Sequence, residues 1–257
     1  MEKVKIEQVP DGVVVDRLWL KAKGIDASLV DYYLRKGYLV QVARGAYRRP
    51  GDPFKWQHLV YSLQFLGWQV YVGGRTALEV KGKAHYLPLG KENKIHLYRE
   101  GKLPPWLFKT DVDAKFVEHN QTLFKNEGKE EGMSEILFGS WDWKIRTSSP
   151  ERALFEMMAE VPKKESFHMV DVVMEGATTL RADLINDLLL YCTNIKVKRL
   201  FLWFAEKHNH KWFERLKTEN VDLGKGKREI LKGGKLDPKY LITVPRETDD
   251  RQEQSIF

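Results

Sequence analysis

The feature that most constrains the fold is a run near the N-terminus in which two helical patterns meet at one glycine. Residues 12–23 and 27–36 each repeat apolar side chains at helical spacing, and Gly24 lies between them. Glycine tolerates the left-handed backbone that a tight turn between two steeply crossing helices requires. Asp26 is expected to cap the second helix. The pattern predicts a helix-turn-helix.

A β-hairpin with a basic tip follows the second helix. Residues 38–42 and 46–49 favour strands, and the turn between them carries Arg44 and Gly45. Two helices and such a hairpin are typical of a winged helix-turn-helix, whose second helix enters the major groove of DNA while the wing contacts the backbone. The residues predicted to bind DNA are Ser28, Tyr32 and Gln41 near base edges, and Arg35, Lys36, Arg44, Arg48 and Arg49 on the backbone.

The acidic residues of this region keep an alternative open. Asp26 and Asp31 are unfavourable near phosphates, although capping explains Asp26. Small helical hairpins with a β-wing also serve as docking modules for proteins. A protein-docking module without nucleic-acid binding is therefore one alternative to DNA binding.

Positive charge is concentrated in two regions. Residues 1–50 hold ten Lys and Arg against six Asp and Glu, and residues 195–246 hold fourteen against six, whereas residues 51–162 are neutral. Basic regions indicate phosphate-rich or acidic partners. The second region predicts a further basic surface, which would contact flanking DNA or an acidic protein, formed by Lys196, Lys198, Arg199, Lys225, Lys227 and Arg228.

The rest of the chain mixes helical and strand patterns. Helices are predicted to begin at Asp52–Pro53 and at Ser148–Pro150, and to cover residues 75–81, 166–175, 179–192, 195–208 and 210–217. Strands are predicted at residues 68–72, 95–98, 116–117, 227–232 and 240–244, a strand or hairpin at 136–146, and an exposed loop at 125–134. The expected fold is α/β (mixed α+β): a winged helix-turn-helix at residues 1–50, a larger domain at 51–246 with a small central sheet and several helices, and a polar tail at 247–257.

Composition excludes several classes of protein. The lone cysteine, Cys192, excludes a disulfide framework and a cysteine-rich zinc site, and its apolar surroundings predict a core position. No apolar run approaches about 18 residues, so no membrane-spanning helix is expected. The first residues alternate charge with apolar side chains, which predicts a cytoplasmic protein without a secretory signal.

Glu79-Val80-Lys81 raises the possibility of an enzyme. Metal-dependent nucleases of the restriction-enzyme type place Glu and Lys around magnesium in this spacing, on a strand where both side chains face one way. On a helix the two side chains diverge by about 200°. Residues 75–81 are predicted to be helical, so no catalytic residue is expected and the nuclease stays the enzymatic alternative.

Three other motifs favour structural roles. His208-Asn209-His210 falls at a helix junction without an acid or cysteine at ligand spacing, so no metal site is expected. Residues 224–228 are glycine-rich and basic but lack the spacing of a phosphate-binding loop, and no cofactor is expected. Ser148 and Ser149 precede Pro150 and Glu151, which is typical of helix caps rather than nucleophiles.

Four segments, taken in order, resemble a known family. They are Ala43-Arg44-Gly45-Ala46-Tyr47; residues 73–79; residues 148–154; and residues 221–228 with Gly233-Gly234 and residues 240–245. Together they resemble the AbiEi-type antitoxins of type IV toxin–antitoxin, or abortive infection, modules. Asp31 and a first helix with few Ser and Thr depart from the usual look of that family.

The resemblance implies both a fold and a function. It implies an N-terminal winged helix-turn-helix, a C-terminal α/β domain and autorepression through inverted repeats upstream of the operon. It also implies neutralisation of a nucleotidyltransferase-like toxin, often without a stable complex. On this basis a DNA-binding antitoxin and transcriptional repressor is expected, with double-stranded operator DNA and a cognate toxin as partners and no enzymatic activity.

Overall fold

The computed structural model describes residues 5–51, 53–82, 93–139 and 143–246, which form two compact units. The first unit comprises Met1–Val72, Leu89–His119 and Glu135–Arg146, and the second comprises Gly73–Pro88, Asn120–Ser134 and Thr147–Phe257. The predicted boundary near residue 50 stays a prediction, since residues 5–51 belong to the first unit together with later segments. The predicted polar tail lies outside the described residues.

A winged helix-turn-helix begins the first unit. Its elements are β1 (Val15–Asp16), α1 (Arg17–Ala22), α2 (Ala27–Arg35), β2 (Val40–Ala43) and β3 (Ala46–Arg48). The strands form an antiparallel sheet in the order β1-β3-β2. This confirms the predicted turn at Gly24, whose φ is 71°, and the wing.

The first helix is shorter than the periodicity of residues 12–23 predicts. Val15 and Asp16 pair with Tyr47 and Ala46 as a strand. The Asp16 side chain then accepts a hydrogen bond from the Trp19 N–H at 2.8 Å and caps a helix that starts at Arg17. Apolar residues before this cap are buried by strand pairing rather than on a helical face.

A five-stranded sheet with one covering helix forms the rest of the first unit. The elements are α3 (Trp56–Phe65), β4 (Val70–Val72), β5 (Lys94–Arg99), a 3₁₀ turn (Leu107–Lys109), β6 (Lys115–Asn120), β7 (Met133–Phe138) and β8 (Trp143–Ser148), with strand order β6-β5-β4-β8-β7. The last residues of β6 and β8 and the first residues of β7 belong to the second unit. Helix α3 starts at Trp56 and not at Pro53 as predicted, while Asp52 lies outside the described residues. At the start of α3 the Lys55 N–H donates to His58 Nδ1 at 3.0 Å.

The winged helix-turn-helix packs tightly against this sheet. The Val14 N–H donates to Ser62 Oγ of α3 at 2.8 Å in a buried position. A Cβ added to Gly12, whose φ is 72°, would lie 2.9 Å from the Trp143 ring. Gly12 and Val14 lie just before β1, so the segment that leads into β1 is held against α3 and β8.

Helices dominate the second unit. They are α4 (Gly74–Val80), α5 (Pro150–Ala159), α6 (Phe167–Glu175), α7 (Ala182–Tyr191) and α8 (Ile195–Lys207), joined by 3₁₀ turns at Asn126–Gly128, Phe213–Arg215 and Thr218–Asn220 and by the strands β9 (Lys235–Leu236) and β10 (Thr243–Val244). Most of the core lies between α5, α6, α7 and α8. The helix predicted at residues 210–217 is only a 3₁₀ turn, and residues 227–232 form no strand beyond the single bridge of Arg228 with Ile242.

A buried network explains why the loop predicted at residues 125–134 is not fully exposed. Arg152 Nη1 donates to the carbonyl oxygens of Lys129 at 2.8 Å and Glu131 at 2.7 Å, while its Nε bonds Glu156 Oε1 at 3.0 Å. Glu156 Oε2 accepts from Ser148 Oγ at 2.7 Å. Ser149 caps α5 as predicted, whereas Ser148 supplies a buried hydrogen bond instead.

Within the described ranges, no helix is long and apolar enough to cross a membrane.

Candidate nucleic-acid interface

Helix α2 presents one apolar face inward and one polar face outward. Val30 and Tyr33 are buried against the core of the winged helix-turn-helix. Ser28 and Arg35 are exposed on the opposite side. Asp26 Oδ1 accepts a hydrogen bond from the Leu29 N–H at 2.9 Å, which fixes the start of the helix as predicted. The second helix of the motif is thus rigidly held with its polar face open to solvent.

The residues predicted to lie near base edges differ in their exposure and in the intramolecular partners they already have. Ser28 is exposed, but its Oγ already donates to Asp26 Oδ1 at 2.7 Å. Tyr32 is half-buried, with its ring 5.9 Å from that of Tyr33. Gln41 is exposed on β2, where it pairs with Tyr47 of β3. Ser28 and Tyr32 thus share α2, and Gln41 belongs to the wing.

The wing places its arginines in three different environments. Arg44 is exposed in the turn between β2 and β3, where Gly45 has a φ of 80°. The Arg48 guanidinium lies 4.8 Å from the centre of the Phe54 ring. Arg49 forms an ion pair with Asp11 at 3.0 Å. Arg48 and Arg49 therefore have intramolecular partners that the sequence did not predict, because those partners are distant in the chain or outside the motif.

Three cations remain available at the end of α2 and the tip of the wing. Arg35, Lys36 and Arg44 are exposed, and within the described residues none of them forms an ion pair. A phosphate would thus meet these charges without displacing an internal carboxylate. They are the strongest phosphate-binding candidates among the predicted residues.

Arg17 is a charged residue of this region that the sequence analysis did not single out. Its Nε donates to the Tyr47 hydroxyl at 3.0 Å and so links α1 to β3 of the wing. This hydrogen bond, with a smaller contribution from the charge of Asp31, raises the pKa of Arg17. Nothing in the periodicity of the sequence indicates the contact between Arg17 and Tyr47.

The second basic surface differs from the prediction at half of its residues. Arg199 is only 2% exposed, and its guanidinium donates to the carbonyl oxygens of Leu223 at 2.7 Å, Gly224 at 3.1 Å and Gly226 at 2.7 Å. Lys198 is 5% exposed, and its Nζ donates to the Asp222 carbonyl.

Lys196 is half-buried, and its ammonium group also has internal partners. Its Nζ donates to the carbonyl oxygens of Ala159 at 2.8 Å and Val161 at 2.6 Å. The prediction of a surface position is therefore wrong for Lys198 and Arg199, which are buried and hold loop carbonyls in the second unit, while the ammonium group of Lys196 is occupied by backbone carbonyls. Lys225, Lys227 and Arg228 are exposed and stay candidates.

The Glu79 and Lys81 pair does not form the arrangement that a metal-dependent nuclease needs. Glu79 lies on α4, as the sequence predicts, and Lys81 caps the end of that helix. Lys81 Nζ bonds Ser134 Oγ at 2.9 Å. Among the described residues, no three His, Cys, Asp or Glu side chains are grouped so that they could hold a metal ion.

The remaining chemical motifs have structural partners. His208 Nε2 lies 2.7 Å from Asp171 Oδ1, and His210 Nε2 lies 2.7 Å from the Met174 carbonyl oxygen. Asn209 between them has a φ of 48°, as a helix-ending residue can. Cys192 is buried in the core, as predicted, and burial raises the pKa of its thiol to about 11.

Comparison with known families decides what this architecture belongs to. Residues 3–89 match the AbiEi antitoxin N-terminal domain, described as a transcriptional regulator. Residues 92–245 match the transcriptional regulator AbiEi antitoxin of the type IV toxin–antitoxin system. The chain belongs to the AbiEi antitoxin family. The family resemblance and the mixed α+β fold with an N-terminal winged helix-turn-helix are thereby confirmed. The AbiEi N-terminal domain extends past the wing to residue 89.

Comparisons with individual proteins add a fold relationship. No curated protein matches the sequence. The crystal structure of the RV2827C protein from Mycobacterium tuberculosis is similar to this AbiEi chain with a TM-score of 0.56. The two share 13% sequence identity, and the match covers 93% of this chain and 88% of the other. At this identity the likeness concerns the fold.

Proposed function

We propose that this AbiEi-family regulator binds duplex operator DNA through its winged helix-turn-helix and represses its own operon. The observation that carries the proposal is the set of exposed cations at the end of α2 and the tip of the wing: Arg35, Lys36 and Arg44. A helix in the major groove with its flanking cations on phosphate is the geometry of this motif.

The base-edge contacts would come from the polar face of α2 and from β2. Tyr32 offers a ring edge and a hydroxyl, and Gln41 offers an amide that can bond adenine. Ser28 would have to exchange its hydrogen bond with Asp26 for one with a base. Arg48 and Arg49 would contact phosphate only by leaving Phe54 and Asp11, so we expect them to contribute less than Arg44.

The antitoxin half of the function rests on the family. From the family we infer that the chain acts on a toxin that resembles a nucleotidyltransferase. We infer that it does so without catalysis, because Glu79 and Lys81 do not share a strand. Lys225, Lys227 and Arg228 would contact either DNA that flanks the operator or an acidic surface of the toxin. This basic surface and the winged helix-turn-helix can be tested separately.

Fluorescence anisotropy with a duplex from upstream of its own gene, a scrambled duplex and a series of salt concentrations tests the proposal. Each phosphate contact adds about 0.9 to the slope of log K against log salt concentration. The double variant Arg35→Ala, Arg44→Ala should therefore bind more weakly and lose about 2 from that slope. Lys109→Ala, an exposed lysine of the same unit outside the motif, is the matched control.

The outcomes separate the alternatives. Preference of the wild type for the upstream duplex, with weaker binding to both duplexes in the double variant but not in the control, supports the repressor. An unchanged slope in the double variant refutes the assignment of the interface. Weak binding that ignores sequence favours a protein-docking module, and magnesium-dependent nicking of a plasmid that Glu79→Ala abolishes favours the nuclease.

A further inference from the structure

The second unit contains a groove with an aromatic wall and a basic rim. Its volume is about 710 Å³, within the range of sites that hold small organic ligands. Helices α6 and α8 contribute Phe167, Trp203 and Lys207. The other wall consists of β9 and the residues after it, together with the end of β10 and the chain up to Arg246.

The aromatic wall is held in one orientation. Trp203 is half-buried, and its Nε1 donates to Asp237 Oδ2 at 3.2 Å. Asp237 is itself fixed, because its Oδ1 accepts backbone hydrogen bonds from Lys239 at 3.0 Å and Tyr240 at 2.7 Å. The rings of Phe167 and Phe204 lie at steep angles to the indole, with 5.4 Å and 5.0 Å between ring centres. A fixed indole can stack on a planar ligand at little entropic cost.

The basic rim follows from the pairing of the two short strands. Val244 of β10 lies opposite Lys235 of β9, so their side chains point to the same side of the ribbon. Arg246 follows two residues after Val244 and also lines the groove. Lys235 and Arg246 are exposed, and in the described part of the chain neither has an ion pair.

A third cation, Lys207, lines the groove but already has an acidic partner. Lys207 Nζ lies 5.5 Å from the centre of the Trp203 ring and forms an ion pair with Asp171. This pairing leaves Lys235 and Arg246 as the positive charges available to a ligand. An aromatic surface beside two such cations matches a ligand that is planar at one end and multiply anionic at the other.

We propose that this groove binds a nucleoside polyphosphate, with its base stacked on Trp203 and its phosphates held by Lys235 and Arg246. A purely apolar ligand would leave the two cations unused, and a simple anion would leave the indole unused. The groove shares no residue with the winged helix-turn-helix, so the Arg35→Ala, Arg44→Ala measurement above leaves its lining unchanged.

Isothermal titration calorimetry of the full chain with ATP, GTP, adenosine and inorganic tripolyphosphate tests the assignment. The variant Lys235→Ala, Arg246→Ala should bind ATP at least about tenfold more weakly, with adenosine binding unchanged. Trp203→Leu should weaken ATP and adenosine alike. Lys232→Ala, an exposed lysine before β9 that does not line the groove, should leave every affinity unchanged.

Several results would overturn the proposal. Among them are no saturable binding of ATP or GTP at millimolar concentration, and equal ATP affinity in the wild type and in the Lys235→Ala, Arg246→Ala variant. Tripolyphosphate binding as tightly as ATP would show that the groove recognises an anion rather than a nucleotide. A single-stranded oligonucleotide of about 15 nucleotides that binds more tightly than ATP, with the same loss in that variant, would replace the free nucleotide as ligand. Because Lys235 and Arg246 are exposed, their variant keeps the test valid if Trp203→Leu fails to fold.

Discussion

Replacing Glu156 by glutamine should destabilise the second unit, because this carboxylate joins separate segments of the chain. Its Oε1 accepts from Arg152 Nε at 3.0 Å, and its Oε2 accepts from Ser148 Oγ at 2.7 Å and from the Gly74 N–H at 2.8 Å. The side chain is fully buried. Since Arg152 donates to Oε1 and the Gly74 N–H donates to Oε2, the amide nitrogen of glutamine would face a donor in either orientation.

The expected loss follows from the burial of Arg152. Removing one partner of a buried ion pair costs about 3–5 kcal/mol. Arg152 keeps its hydrogen bonds to the carbonyl oxygens of Lys129 and Glu131, which reduces that cost. The donor facing the amide adds about 1–3 kcal/mol for an unsatisfied buried group. We therefore expect Glu156→Gln to lower the free energy of unfolding by about 3 kcal/mol, measured by urea denaturation with far-ultraviolet circular dichroism.

An ion pair just beyond the end of α5 supplies the control. Lys164 Nζ lies 3.3 Å from Glu160 Oε2 at the same i,i+4 spacing, but the Lys164 side chain is 53% exposed. Lys164→Gln should cost less than about 1 kcal/mol, because water screens an exposed pair. Equal losses in the two variants, or a loss below about 1 kcal/mol for Glu156→Gln, would refute the reasoning from burial.

Three further results are expected. Gly128→Ala should destabilise the chain by about 1–3 kcal/mol, since the added Cβ would lie 2.3 Å from Cβ of Tyr191; an unchanged urea midpoint would contradict this. The Cys192 thiol, whose pKa burial raises to about 11, should resist a disulfide reagent near pH 8 until urea unfolds the chain, and rapid labelling of the folded protein would show otherwise. Burial raises the pKa of Glu151, but hydrogen bonds from Arg181 outweigh it and lower the pKa from 4.5 to about 2. The resulting stability is complete above about pH 4.5 and is lost as the pH falls toward 2. Arg181→Ala should therefore flatten the dependence of the free energy of unfolding on pH in that window. Parallel curves for the wild type and the variant would contradict this.

Features that depend on neighbouring residues could be predicted from the sequence. The caps at Asp26 and Ser149 and the left-handed glycine at Gly24 all lie where the sequence predicts them. In each case the stabilising hydrogen bond or backbone angle involves residues within one helical turn. The helix-turn-helix and its wing were predictable because they are assembled from such local features.

Features that depend on distant segments could not be predicted in this way. The sequence around Val15 has helical periodicity, yet a strand about 30 residues away pairs with it. Arg199 reads as a surface cation on a basic stretch, but the carbonyl oxygens of a glycine-rich loop surround its guanidinium. Charge along a sequence does not reveal whether an arginine faces solvent or saturates buried carbonyls.

The predicted DNA interface illustrates the same division. The exposure of Arg35 and Arg44 follows from helix periodicity and from the position of a hairpin turn. The partners of Arg48 and Arg49 are Phe54 and Asp11, which lie on either side of the motif in the sequence. Sequence reasoning therefore identified the cations but not which of them already had a partner.

The anchoring of the residues before β1 bears on how this DNA-binding motif could be inherited or transplanted. Cutting after the wing would leave the buried Val14 N–H without Ser62 and would remove Trp143 from beside Gly12. A fragment of residues 1–50 would thus contain an unsatisfied backbone donor at Val14 and an apolar surface exposed to water. Gene fusions that exchange operator specificity are therefore expected to fold when the five-stranded sheet is transferred together with the winged helix-turn-helix. They are expected to fail when the winged helix-turn-helix is transferred alone.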